Sequence, residues 1–255
     1  MTHRILILGG TTEARLLAGK LAGKSDLDVT LSLAGRTRDP ASQPVPVRVG
    51  GFGGAEGLAR HLVESGTTIL IDATHPFAAR ISANAAIAAR QSGIHAIALR
   101  RPEWMPVEGD RWTVVESIEK GVAALGKRPR RVFVTLGRQE LTPLVSVPEH
   151  FYLIRSVDPV EPPLDLPHAD YILARGPFPD GAERDLLRTY RIDAILAKNS
   201  GGDATYGKIA AARALGIEVI IVRRPPTPNM AVAATIEEVL AMLNDHLTSP
   251  AERGV

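Results

Sequence analysis

A glycine-rich segment near the start of the chain has the residue types of a phosphate-binding turn. The apolar run Ile5–Leu8 leads directly into Gly9-Gly10-Thr11-Thr12-Glu13-Ala14-Arg15 and then into a helical pattern. Glycine lets the backbone turn sharply and approach a pyrophosphate, and a helix N-terminus offers N–H groups to the anion. The match to G-x-G-x-x-G/A is partial, because Thr11 stands where the middle glycine would be. The alternative is a tight turn in which Thr12 caps the helix.

The segment after the next apolar run indicates which dinucleotide would bind. An acid at this position would bind the ribose 2′-OH of NAD. This chain instead has Ala34-Gly35-Arg36-Thr37-Arg38. Guanidinium groups donate in pairs to phosphate oxygens, so Arg36 and Arg38 predict NADPH, whose 2′-phosphate they would bind. The alternative is that both arginines are solvated loop charges.

A third segment, Asp72-Ala73-Thr74-His75-Pro76-Phe77-Ala78, joins a predicted strand to a helix. Ligands of parallel α/β sheets bind outside the carboxyl ends of the strands. Thr74 and His75 are therefore expected to face a bound ligand. The helix N-terminus favours neutral imidazole, which positions a ligand but donates protons poorly. A capping role for His75 is the alternative. The residues predicted to bind the cofactor are Gly9, Gly10, Thr11, Thr12, Glu13, Arg36, Arg38, Thr74 and His75.

Two strand ends in the second half of the chain are rich in hydrogen-bond donors. The run Arg131–Leu136 ends in Gly137-Arg138-Gln139, and Ile192–Ala197 ends in the segment Lys198–Lys208. The second segment contains lysines, an amide, hydroxyls, glycine N–H groups and a helix start, which together could face an anion. In the alternative interpretation, Lys208 lies on a solvated helix face and Gly201-Gly202 is only a turn.

The elements that must position these residues alternate between two patterns. Apolar runs rich in Ile, Val and Leu, typical of strands buried on both faces, alternate with helical periodicity. One series of runs extends from Ile5–Leu8 to Ile94–Leu99, and a second from Trp112–Val115 to Glu218–Val222. The fold class predicted is α/β, with two parallel-sheet units.

The boundary between the units is predicted within Arg100–Arg111, where prolines, a glycine and charged residues interrupt the apolar pattern. We therefore expect a Rossmann-like NADPH-binding domain over residues 1–103 and a second α/β domain, on the substrate side, over 104–247. Residues 248–255 are predicted to form a disordered tail.

Composition excludes several classes of function. The 255 residues include 30 Lys and Arg, 28 Asp and Glu, and no cysteine. Disulfides, thiolate metal sites and cysteine nucleophiles are thereby excluded. Without a basic stripe or an apolar run of about 18 residues, neither nucleic-acid nor membrane partners are predicted. We expect a cytoplasmic monomer with no metal.

Six segments together resemble the precorrin-6A reductase family of cobalamin biosynthesis. The combination of Thr-His-Pro-Phe-Ala with Lys-Asn-Ser-Gly-Gly is the more specific part of this resemblance. The six segments are Gly9–Arg15, Ala34–Arg36, Asp72–Ala78, Leu136–Arg138, Lys198–Gly202 and Arg223–Pro225.

The resemblance implies two Rossmann-like domains with a cleft between them, NADPH held mainly by the first, and a tetrapyrrole substrate. Reduction of the C18–C19 double bond of precorrin-6A would give precorrin-6B, with hydride added at C19 and a proton at C18. The substrate would bring several acetate and propionate groups. The residues predicted to bind it are Arg138, Gln139, Lys198, Asn199, Ser200, Gly201, Gly202 and Lys208.

Hydride transfer depends chiefly on positioning and on excluding water, so no side-chain nucleophile is needed. His75, Tyr206, a lysine or water could supply the proton, and the sequence does not decide among them. His75, as a positioning group, and Tyr206 are the predicted catalytic residues. Two other functions stay open at this point: an NADP-sensing module without turnover, and an NADPH-dependent reductase of another acidic substrate.

Overall fold

A computed structural model describes residues 2–35 and 41–248, and its backbone contacts form two units. The first unit comprises the described residues up to Arg101 together with those from Pro225 onward. The second unit is Pro102–Arg224. The predicted phosphate-binding residues Arg36 and Arg38 lie outside the described residues, as does the predicted tail except for Thr248, which ends a helix.

The first unit contains a single parallel sheet. Numbered along the whole chain, its elements are β1 (His3–Leu8), α1 (Thr12–Leu21), β2 (Leu27–Leu33), β3 (Val47–Val49), α2 (Ala55–Glu64), β4 (Ile69–Asp72), α3 (Ala79–Ser92), β5 (His95–Leu99), β12 (Ala231–Ala233) and α7 (Ile236–Thr248). The strands lie in the order β3-β2-β1-β4-β5-β12. This is the doubly wound arrangement, in which the order reverses between β1 and β4.

Helices cover both faces of this sheet because side chains alternate along each strand. On β1, Ile5 and Ile7 belong to one buried cluster, and Leu6 and Leu8 belong to another. The first cluster includes Leu17 and Leu21 of α1 with Val239 and Leu243 of α7; the second includes Leu58 and Leu62 of α2 with Ala85 and Ala88 of α3.

The C-terminal segment belongs to the first unit, which corrects the expectation that residues 104–247 form one continuous domain. Strand β12 pairs in parallel with β5, and Ala233 and Val239 are buried in the core of the first unit. The sequence pattern identifies a helix here, but it carries no information on which sheet the segment joins. That choice is made by long-range pairing.

The second unit also contains a six-stranded parallel sheet. Its elements are β6 (Trp112–Val115), α4 (Ile118–Ala124), β7 (Arg131–Thr135), β8 (Phe151–Ser156), β9 (Ala169–Leu173), α5 (Asp180–Thr189), β10 (Ala194–Lys198), α6 (Gly207–Leu215) and β11 (Glu218–Val222), with short 3-10 turns at Arg138–Glu140 and Thr142–Ser146. The strand order is β6-β11-β10-β7-β8-β9. The predicted α/β class with two Rossmann-like parallel sheets is confirmed.

All the predicted strands are present, with bounds shifted by at most two residues. Two further strands, β3 and β12, were not predicted. Each has three residues, too few for an apolar run to stand out from its surroundings. Among the residues that the structure describes, no helix is long and apolar enough to cross a membrane.

A pair of stacked histidines joins the start of β5 to the last helix. The rings of His95, on β5, and His246, on α7, are 4.1 Å apart and inclined by 10°. Burial lowers the pKa of His95, and the charge of His246 lowers it further. A lowered pKa in the folded state means that the unfolded chain binds the proton more tightly. The contribution of His95 to stability is therefore fully present above the pKa that it has in the unfolded chain, and it is lost as the pH falls below that pKa.

We predict that His95→Phe, which keeps an aromatic ring but cannot titrate, reduces the acid sensitivity of the protein. Between about pH 7.5 and about pH 5.5, the midpoint of thermal unfolding should fall less in the variant, by roughly 2 °C or more. His168→Phe, at an exposed histidine, is the matched control. A fall as large in His95→Phe as in the parent would contradict this assignment.

Candidate functional site

In the glycine turn after β1, the backbone favours glycine at Gly10, and the packing of Leu31 leaves little room for a side chain at Gly9. Gly10 has a φ of +110°, which side chains rarely adopt, and a Cβ on Gly9 would lie 2.7 Å from Cδ1 of Leu31. Thr11 caps α1: its Oγ1 accepts from the N–H of Ala14 at 3.1 Å and donates to the carbonyl of Ala73 at 2.8 Å. The helix cap is therefore Thr11, and Thr12 is the first helical residue.

Glu13 has a defined partner in the structure. Arg101 Nη1 lies 2.8 Å from both carboxylate oxygens of Glu13. A carboxylate in the first turn of α1 would repel a phosphate, and the guanidinium offsets that charge. This geometry favours a supporting role for Glu13 over the direct cofactor contact predicted from the sequence.

A buried charge network organises the end of β4. Asp72 is fully buried, and its Oδ2 accepts from Arg100, which also donates to the backbone carbonyl of Asp72 at 2.8 Å and to Oγ of Ser82 at 2.6 Å. Oδ1 of Asp72 accepts from the backbone N–H of Thr74 at 3.1 Å and from its hydroxyl at 2.6 Å. The network joins β4, β5 and α3 and fixes the position of Thr74.

His75 is half-buried in the same loop. Its Nδ1 accepts from the backbone N–H of Phe77 at 3.2 Å, so the proton of a neutral ring is carried by Nε2. The ring centroids of His75 and Phe77 are 5.9 Å apart. The structure thus places Thr74 and His75 at the carboxyl edge of the sheet, as the sequence predicted.

A cavity of about 620 Å³ opens at this edge of the first sheet. The glycine turn contributes Gly9, and the ends of β2 and β4 contribute Ala34 and Thr74. None of the described residues that line it is acidic. Its full lining is Leu8, Gly9, Ser32, Ala34, Gly50, Gly51, Phe52, Gly53, Gly54, Leu58, Thr74, Arg80, Ile81 and Asn84.

The segment Gly50–Gly54 is a lining element that the sequence interpretation missed. Arg48 donates to the carbonyls of Gly50 and Gly51 at 2.6 and 2.9 Å, and its guanidinium lies 3.8 Å from the ring centre of Phe52. The available signal was four glycines around one aromatic residue, directly after Val47-Arg48-Val49. Such a segment lets backbone approach a ligand closely.

In the second unit, the ends of β7 and β10 are joined by an ion pair. Lys198 Nζ lies 2.5 Å from Oε2 of Glu140, which also accepts from the N–H of Gly137 at 2.8 Å. Arg138 is half-buried and donates to the carbonyl of Pro159 at 3.2 Å, and Gln139 is exposed. The structure therefore brings together the predicted residues Arg138, Gln139 and Lys198, with Glu140 as an unpredicted member.

Asn199 holds the start of the second unit, and the backbone carbonyls of Asn199 and Ser200 hold its last residue, Arg224. Asn199 Oδ1 accepts from the backbone N–H of Trp104 at 2.9 Å, and its Nδ2 donates to the carbonyl of Trp104 at 3.0 Å. Arg224 donates to the carbonyls of Asn199 and Ser200 at 2.8 and 2.9 Å. Both polar atoms of the Asn199 side chain thus serve the fold, which favours an organising role over the predicted substrate contact.

Lys208 is only 3% exposed, so the solvated-face alternative is wrong. Its Nζ donates to the carbonyl of Thr205 at 2.6 Å and lies 4.8 Å from the ring centre of Trp104. These contacts favour a structural role over the predicted substrate contact.

The hydroxyl of Tyr206 accepts from Arg213, which pairs with Asp110 at 2.9 Å. Within the described ranges, no group of three metal-ligating side chains occurs.

A parallel sheet whose strand order reverses beside a glycine turn, followed by a second parallel sheet, defines a Rossmann-like α/β protein of the nucleotide-binding kind. The chain belongs to a family described as "Precorrin-6x reductase CbiJ/CobK", whose family model matches residues 4–244. It is thus an oxidoreductase of cobalamin biosynthesis that acts on a CH–CH group, and its family and fold imply a nicotinamide cofactor.

Individual relatives agree with this assignment. The chain is 57% identical over 248 residues to a precorrin-6A reductase of Sinorhizobium sp., covering 97% of this chain and 95% of the relative. It is 47% identical over 252 residues to that of Rhodobacter capsulatus, covering 99% of each. A solved structure of CobK precorrin-6A reductase matches with a TM-score of 0.92 and 46% identity over 100% of both chains. The sensing module without turnover is therefore set aside.

The loop around Gly201 generates a stability prediction. Gly201 has a φ of +63°, and a Cβ there would lie 2.0 Å from the carbonyl oxygen of Pro102. We predict that Gly201→Ala lowers the free energy of unfolding by about 3 kcal/mol or more, because backbone must move. Gly216→Ala is the matched control, since Gly216 has a φ of +67° and open space around it. Its cost should be about 1 kcal/mol.

Urea unfolding of the three proteins measures both costs. Equal destabilisation by the two substitutions would mean that the close approach of Gly201 to Pro102 contributes nothing.

Proposed function

We propose that this reductase uses NADPH and that the first unit binds it. The observation that carries the proposal is the Gly9-Gly10 turn at the head of α1, which opens on the cavity at the carboxyl edge of the sheet. The capped N-terminus of α1 would face the pyrophosphate, with Thr11 fixing the turn to β4.

The residues present fit a dinucleotide. A positive φ at Gly10 and the close packing of Gly9 leave backbone rather than side chains at the turn. Arg101 offsets the charge of Glu13, and Arg80 is a cation of the cavity wall. When bound, the reduced nicotinamide would supply the hydride. Arg36 and Arg38, which follow β2 in sequence, would hold the 2′-phosphate.

The cofactor preference is tested by replacing both arginines. Arg36→Ala with Arg38→Ala should weaken NADPH binding roughly 100-fold or more and leave NADH binding nearly unchanged, because each of the two charge-assisted contacts contributes about 1.5–3 kcal/mol. Calorimetric titration of both cofactors measures this. Arg60→Ala, at an exposed arginine on α2, is the control. Equal losses for NADPH and NADH would contradict the proposed role.

The second unit is proposed to bind carboxylates of the tetrapyrrole. Lys198 and Arg138 lie at the ends of β10 and β7, and Glu140 holds the lysine by its ion pair. The neighbouring groups Gln139, Ser200, Gly201 and Gly202 would add neutral donors, whereas Asn199 and Lys208 support the loop from behind. A cation held in place by a hydrogen-bonded partner loses less side-chain entropy when it binds a second anion.

His75 and Tyr206 are proposed to act as hydrogen-bond donors. With Nδ1 accepting from Phe77, the Nε2–H of His75 can donate to a carbonyl of cofactor or substrate. Tyr206 accepts from Arg213 and so keeps its own proton for donation. We also propose that the chain acts as a monomer in the cytoplasm; the absence of cysteine from its sequence accords with that reducing compartment.

Substrate binding is tested at the two cations. Lys198→Ala or Arg138→Ala should raise KM for precorrin-6A about 10-fold or more and leave the NADPH dissociation constant within about twofold, because the contacts that are lost all belong to the second unit. Lys127→Ala, an exposed lysine just before β7 at the opposite edge of the same sheet, should change neither value. A variant that loses NADPH affinity alone would reverse the proposed division between the units.

A further inference from the structure

The cavity of the first unit lies where the adenosine end of a dinucleotide belongs. In sheets of this strand order, the adenosine ribose is bound at the end of β2, and the cavity beside that end is the space open to the base. Ser32 and Ala34 at the end of β2, with the segment Gly50–Gly54 after β3, line the cavity. This placement rests on the proposed binding of NADPH by the first unit.

The walls suit a flat heteroaromatic ring. Phe52, Leu58 and Ile81 supply apolar surface, and the volume of about 620 Å³ is ample for a purine with its ribose. Two further lining residues carry hydrogen-bonding groups whose roles are not fixed by neighbours. Asn84 can present either its oxygen or its nitrogen, and Arg80 donates only, which suits the ring nitrogens of any purine.

Thr74 differs from these groups because the direction of its hydrogen bond is fixed. A carboxylate bound by a guanidinium accepts hydrogen bonds and cannot donate them. Asp72 is fully buried and bound by Arg100, so the hydroxyl proton of Thr74 points to Asp72 Oδ1 at 2.6 Å. What the hydroxyl oxygen of Thr74 can still offer to the cavity is a lone pair.

We propose that Thr74 is the specificity-determining residue for the base of the cofactor, accepting a hydrogen bond from the exocyclic amine of adenine. The chain thereby selects an aminopurine over an oxopurine. Hypoxanthine carries a carbonyl oxygen at the same position, which would meet the lone pair of Thr74 with no proton between them. Asp72 and Arg100 are positioning residues, because they act through Thr74.

The test compares NADPH with its deamino analogue, which has hypoxanthine in place of adenine and is otherwise identical. By calorimetric titration, the parent should bind the deamino analogue about 10-fold more weakly. Thr74→Val removes the hydroxyl at nearly constant shape, so the two affinities should differ by about twofold or less. Thr74→Ser keeps the hydroxyl and should restore the discrimination.

Two readouts separate this inference from the cofactor proposal. The preference for NADPH over NADH should be unchanged in Thr74→Val, since the 2′-phosphate is bound elsewhere. Circular dichroism reports whether each variant is folded, and the parent comparison needs no variant.

Equal binding of both analogues by the parent overturns the inference but leaves the cofactor proposal intact. Discrimination that persists in folded Thr74→Val also overturns it. Failure of the parent to bind NADPH overturns both.

Discussion

Parallel strand pairing is the constraint on which the sites of this protein depend. Every pairing between strands of the described residues is parallel, so within each unit all strands end at one edge of the sheet. Residues distant in sequence, such as Gly9, Ala34 and Thr74, are thereby gathered at one cavity. In the second unit the same rule brings Arg138 and Lys198 to one edge.

Each unit contains a buried ion pair. Removing these charges from water costs free energy, which is offset only when both partners are present. Asp72 with Arg100 in the first unit, and Arg155 with Glu183 in the second, are both buried. Arg155 also lies 3.6 Å from the ring centre of Phe178. Removing one partner of such a pair leaves an uncompensated charge and costs about 3–5 kcal/mol. Each pair therefore forms only when the elements that carry its two partners are correctly aligned.

The sequence predicted the class of fold, most strands and the main site segments because each is a local pattern. Apolar runs mark the strands, and glycine or donor-rich segments mark their carboxyl ends. Side-chain contacts could not be predicted from local patterns, because they join residues far apart in sequence. The contacts of Glu13 with Arg101 and of Asn199 with Trp104 each span about 90 positions. Asn199 and Lys208 look like ligands in sequence, since polarity alone does not distinguish a ligand from a buried support. The pairing of β12 with β5 could not be predicted either, because it also joins segments that are far apart in sequence.

The return of the C-terminal segment to the first sheet sets an order for synthesis on the ribosome. All strands of the second unit emerge before β12 and α7 do, although the first five strands of the first unit precede them. The second unit can therefore complete its sheet while the first still has β5 as an open edge and lacks the helix that covers Leu17 and Leu21. The nascent chain thus passes through a stage in which the half proposed to hold the cofactor is unfinished and open to pairing with other chains.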